Sequence, residues 1–150
     1  MVLLSLMSTL LGCSSFGLTG LLFGLEAELM IQPQEDVQFQ PVPPGEEAKT
    51  DIVLESVGGL PVWIDAMEIG GVDADLFDFT NELPLPLELE SDSEMQVILQ
   101  FAPENIGQFR AEVSVTIEDS VTRVVTRTLI GKGCVEDEDR AGECDPDELD

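Results

Sequence analysis

The chain is predicted to be all-β: an antiparallel β-sandwich of about seven to eight strands. Three observations predict it. From Leu29 onward, short runs of alternating apolar and polar residues are broken by turn residues every eight to twelve positions. No stretch sustains the helical period. Finally, Phe109, Ala111, Val113, Val115 and Ile117 alternate with Arg110, Glu112, Ser114 and Thr116, a period of two that a helix cannot place on one face.

Each element follows from the same logic. Val37 and Phe39, between Asp36, Gln38 and Gln40, form a first strand that Pro41-Val42-Pro43-Pro44-Gly45 stops. Residues 49–55 make a second strand with Ile52 and Leu54 on one face, and Gly58-Gly59 turns the chain. Residues 62–69 form a third strand, with Val62, Ile64 and Ala66 inward and Trp63 on the opposite face. Leu76-Phe77-Asp78-Phe79 is a brief half-buried segment. Leu85, Leu87 and Leu89 belong to an edge strand, where Pro86 is tolerated. Met95, Val97, Leu99 and Phe101 mark the next strand, closed by Ala102-Pro103. After the strand at 109–117, Glu118-Asp119-Ser120 turns into a last strand at 121–130. There Arg123 and Arg127 are expected on the solvent face, with Val124 and Ile130 inward. No internal repeat is present.

Composition restricts function. The chain has 150 residues, with 31 Asp and Glu against 6 Lys and Arg, for a net charge of -25. Such a surface repels phosphate backbones, so nucleic acid is not an expected partner. It favours divalent cations and basic partners. The absence of His removes Ser-His and Cys-His dyads and the commonest zinc ligand. No catalytic residue is assigned.

Leu10-Leu11-Gly12-Cys13, followed by Ser14-Ser15, resembles a bacterial lipobox, in which the signal segment is removed and the cysteine is lipidated. Residues 1–13 are then a signal segment ending at Cys13, 14–28 a tether, 29–133 the sandwich domain and 134–150 an acidic tail. Nothing in residues 1–25 carries a side-chain charge, unlike the usual basic start of a signal peptide. Two alternatives stay open: a start further upstream, or residues 1–25 as one uncleaved transmembrane anchor. Lipidation also resolves the odd cysteine count. Of the three cysteines, Cys134 and Cys144 remain to form a disulfide in an oxidising compartment; the competing reading is three cytoplasmic thiols.

Asp36-Val37-Gln38-Phe39 and Pro43-Pro44-Gly45 resemble the opening of ASH-type domains of ciliary and centrosomal proteins, and of bacterial domains labelled choice-of-anchor D. Further matches follow in order: Ser56-Val57-Gly58-Gly59-Leu60-Pro61-Val62, Asp73-Ala74-Asp75-Leu76-Phe77, Leu83-Pro84-Leu85, Phe101-Ala102-Pro103, and Gly107 with Leu129-Ile130-Gly131-Lys132-Gly133. Gln40 replaces a usual Gly and Ser56 a usual Asn. The resemblance implies an immunoglobulin-like sandwich related to the major sperm protein group. It also implies an interaction or spacer module without catalytic residues.

The tail holds a second pattern. Asp137-x-Asp139-x-Ala141-Gly142, with Asp145 and Glu148, follows the spacing of an EF-hand calcium loop. Against it, Ala141 offers no oxygen, Pro146 restricts the loop, and no flanking helix is evident. The default is a solvated acidic tail. Asp73, Asp75 and Asp78 form either a cation site or an ordinary polar loop. Arg110, Arg123 and Arg127 either grip an anion or pair across strands.

The expected function is a non-enzymatic cell-envelope lipoprotein, held by its lipid at a membrane. The outer membrane of a Gram-negative bacterium is the expected place. It would present its sandwich to other envelope or surface proteins. The alternative is a calcium-dependent surface adhesin or assembly protein. A third reading is an accessory domain of an enzyme encoded elsewhere.

Overall fold

The computed structural model describes residues 26–118 and 122–145. In chain order the strands are β1 (Leu29–Gln32), β2 (Val37–Gln38), β3 (Ala48–Ser56), β4 (Val62–Gly70), β5 (Phe77–Phe79) and β6 (Leu87–Leu89). They continue as β7 (Glu94–Phe101), β8 (Gly107–Ile117), β9 (Arg123–Gly133), β10 (Glu136–Asp137) and β11 (Arg140–Cys144). One 3-10 turn, Ala74–Leu76, precedes β5.

Two sheets form the sandwich. A four-stranded sheet has the order β1-β3-β7-β5, and a five-stranded sheet the order β2-β9-β8-β4-β6. The alternating side chains meet between them: Ile31, Ile52, Leu54, Val97, Leu99 and Phe101 from the first sheet lie against Val62, Ile64, Val113, Val115 and Leu129 from the second. This is the alternation of a sheet with one face in the core and one in water. The long β8–β9 pair stays in register from Gly107↔Gly133 to Ile117↔Arg123.

The N-terminal strand is divided between the sheets. β1 runs antiparallel to β3, the chain crosses over at Pro33, and β2 then runs parallel to β9. The parallel course continues as Phe39 N–H donates to Ile130 O (3.0 Å) and Val42 N–H to Lys132 O (3.1 Å). The sandwich thus has one strand more than expected and one parallel pair. Proline lacks the donor a ladder needs, which fits the break at Pro33.

Two strands present faces other than those expected. In β4 the register shifts between Ile64 and Ala66, leaving Asp65 as a bulge. The extra residue flips the parity, so Met67 and Ile69 pack against the core after Val62 and Ile64. In β9 the inward set is Val125 and Leu129, whereas Val124 is 58% exposed.

Four phenylalanines cluster at the end of the sandwich where β9 finishes. Phe77 and Phe101 have ring centroids 4.9 Å apart, and Phe39 and Phe109 lie 5.7 and 6.0 Å from Phe101. Gly131 faces this cluster: a Cβ there would stand 2.5 Å from Phe101 ring carbons. At the other end, Ser56 is a buried polar residue. Its N–H donates to Ser93 O (2.9 Å), its carbonyl accepts from Asp92 N–H (3.1 Å), and its hydroxyl donates to Leu60 O (3.4 Å). A turn that buries its own backbone must satisfy it, and Ser56 does so for β3–β4.

Chain entry and exit lie at opposite ends. Leu29 pairs with Ser56, at the end of the sandwich where β9 begins, and Gly133 pairs with Gly107 at the far end.

Candidate functional site

Cys13 lies outside the described residues, as does Glu148. Cys134 and Cys144 are disulfide-bonded, with Cα atoms 5.6 Å apart. The bond closes a hairpin rather than a loose tail. Glu136 pairs with Cys144 and Asp137 with Arg140, and Asp145 N–H donates to Val135 O (2.8 Å).

Some acidic residues of this hairpin have structural duties. Asp137 Oδ1 accepts from Asp139 N–H (2.8 Å), bracing the turn, and Glu136 Oε1 accepts from Gly142 N–H (2.9 Å). Gly142 takes a positive φ of 85°, which glycine adopts without strain. Arg140 pairs with Glu143 at 3.4 Å. Asp137 ends β10, Asp139 lies in the turn after it, and Asp145 follows β11. Among the described residues no three His, Cys, Asp or Glu side chains converge on a site for a metal.

Asp73 and Asp78 also serve the fold, and Asp75 is exposed in the 3-10 turn. Asp73 Oδ2 accepts from Arg110 N–H (2.8 Å), tying the loop after β4 to β8, and Asp78 Oδ1 accepts from Phe79 N–H (2.8 Å). Arg110 and Arg123 are exposed, as expected, and Arg127 is half-buried. Arg127 donates through Nε to Pro33 O (3.0 Å) and through Nη2 to Ile31 O (3.0 Å). Arg123 donates through Nη2 to Ala27 O. Both reach from β9 across the rim to the opposite sheet, and both share the parity of Val125 and Leu129. A guanidinium can take an inward position at a sheet margin because its stem packs while its fork finds carbonyls.

The remaining surface feature is the long side of the sandwich opposite β1 and β2. There β6 pairs with β4 only through Val62, Trp63 and Ile64, so among the described residues Ala66–Gly70 has a strand on its β8 side alone. Among the described residues β5 pairs only with β7, as the edge of its own sheet. Between β4 and β5 lie two hollows of about 440 and 430 Å³ that share Met67, Asp78 and Phe79. This groove had one sequence signal: around Asp65 the apolar residues change parity, from Val62 and Ile64 to Met67 and Ile69.

Trp63 lies on the outer face of β4, half exposed, opposite Glu88 of β6.

No family model and no curated protein matches the chain. Solved structures do. The ASH / PapD-like domain of human CEP192 (PapD-like domain 7) superposes with a TM-score of 0.56 at 19% identity, covering 74% of this chain and 88% of that one. The E. coli chaperone DraB gives 0.53 at 10% identity, covering 71% of this chain and 55% of its own. The secreted serine protease VesC from Vibrio cholerae gives 0.57 at 12% identity over 83% of this chain, but only 27% of VesC. Identities this low carry the architecture alone. The described residues have the immunoglobulin-like fold of an ASH/PapD-like domain.

Proposed function

We propose that the chain is a non-enzymatic module of the cell envelope, held at a membrane by a lipid on Cys13. There it presents its sandwich to other envelope proteins. The observation that carries this reading is the Cys134–Cys144 pairing. It consumes two of the three cysteines and leaves Cys13 as the odd one, directly after Leu10-Leu11-Gly12. A disulfide that clasps the end of the domain supports an oxidising compartment, and the lipobox-like run supports the anchor. Ser14, next to Cys13, supports outer-membrane sorting in a Gram-negative cell. PapD-like relatives titled as chaperones support a protein-binding role. Free flanks on β4 and β5 offer the means, since an unpaired strand edge accepts another strand.

Mass spectrometry of the mature N-terminus, purified from the membrane fraction, tests the reading. Acyl mass on Cys13 is the expected result. An intact Met1 requires the transmembrane alternative, and an unmodified soluble product would sink the anchor.

A further inference from the structure

The two long sides of the sandwich are closed differently. On one, the chain itself crosses from β1 to β2, and Arg123 and Arg127 tie β9 to carbonyls of the first sheet. On the other, β4 and β5 flank an open groove. Met67, Ile69 and Phe79 line its floor, half-buried against the core, while its exposed lining is more polar than apolar. Its rim is acidic, with Glu68, Asp75, Asp78 and Glu82, and neither Lys nor Arg lines either hollow.

We propose that this groove docks an extended segment of a basic protein, in which apolar residues alternate with Lys or Arg, as an added strand along Ala66–Gly70. The inference rests on the interaction-module reading and names the partner's chemistry. Three features converge on that occupant. The flank of β4 beyond Ile64 carries backbone groups with no neighbouring strand among the described residues, and an incoming strand satisfies them. An added strand places alternate side chains on opposite faces, so one set enters over Met67, Ile69 and Phe79 while the other stays in water. The water-facing set lies beside Glu68 and the rim carboxylates, where cations are attracted and anions repelled.

Charge decides between partners. A second copy of this chain brings the same net charge of -25 and is repelled. An anionic lipid surface meets the same repulsion. A basic strand is steered inward.

The probe is the heptapeptide Lys-Val-Lys-Val-Lys-Val-Lys, labelled for fluorescence anisotropy and titrated with the full chain at about 0.15 M salt. Its comparator, Lys-Lys-Lys-Lys-Val-Val-Val, has the same composition and charge but no alternation. The expected result is binding of the alternating peptide at least about tenfold tighter than the block peptide. Amide shifts should be confined to β4 and β5. Reversing two of the four exposed rim charges, Glu68→Lys with Glu82→Lys, should abolish binding and leave the melting temperature within about 2 °C of the parent. Equal binding of the two peptides, insensitivity to the charge reversal, shifts centred on β1 and β2, or no binding at all would each overturn the groove proposal. None of these outcomes bears on Cys13 acylation, so failure of the groove and failure of the anchor are read separately.

Discussion

At position 131 a single hydrogen atom stands where any other residue would carry carbon. The Phe101 ring occupies the space a Cβ would need, at 2.5 Å. Gly131→Ala is therefore expected to cost about 1–3 kcal/mol through overpacking, read as a lower thermal midpoint. The physical cause is checked by a second background. With Phe101→Leu already in place, the same glycine substitution should cost markedly less, because the two sites share one volume. Additive losses would show that backbone freedom, not the ring, makes glycine necessary. Arg127 is the other decisive side chain. Its fork holds Ile31 O and Pro33 O, both 3.0 Å away, and so joins the two sheets where the chain crosses between them. Arg127→Met keeps much of the stem and removes the donors. It should cost about 1.5–3 kcal/mol and raise amide exchange in β1 before other strands. Arg127→Lys should rescue only part of the loss, since an ammonium lacks the planar fork.

Among the elements, β10 and β11 form a unit that depends on its own bonds more than on the core. Reduction of Cys134–Cys144, or the double change Cys134→Ser with Cys144→Ser, is expected to open the hairpin to proteolysis near Glu138 and Asp139. The sandwich's cooperative melt should survive. Simultaneous loss of both would show that the clasp supports the whole domain. The same scale explains which parts of the fold were legible beforehand. β3, β7 and β8 could be read residue by residue, because their apolar positions keep one parity from end to end: Ile52 with Leu54, Val97 with Leu99 and Phe101, Ala111 through Ile117. β4 misled after Ile64, since a bulge at Asp65 exchanges the faces without changing composition. β9 misled for another reason. Val124 and Val125 are adjacent, so either parity fits; Arg123 is exposed as expected, yet the residues of its own parity, Val125 and Leu129, face the core. The crossover at Pro33 is a tertiary choice between two sheet edges, and no local pattern specifies it. Of the proposed site residues, the cysteine pair was legible only once the lipobox-like run had claimed Cys13. Of the groove, only the parity change around Asp65 was legible, because an unpaired flank is a property of neighbours.

For the whole molecule, charge dominates the response to conditions. With a net charge of -25, compaction brings carboxylates together, and added salt is expected to raise the melting temperature until screening saturates. Calcium should stabilise no more than magnesium at equal concentration, because Glu136 and Asp137 already accept from backbone N–H groups of the hairpin. A calcium-specific rise would instead reveal a bound ion and favour the calcium-dependent alternative. The placement of entry and exit at opposite poles has a mechanical corollary. Fixing the chain ahead of β1 and tugging beyond β9 draws the parallel partners β2 and β9 in contrary directions along their shared axis. Their cross-links must then yield together instead of one after another. Optical-tweezer stretching from the two poles is expected to give an abrupt, high-force rupture, whereas a gradual low-force peel would show that the strain bypasses this junction.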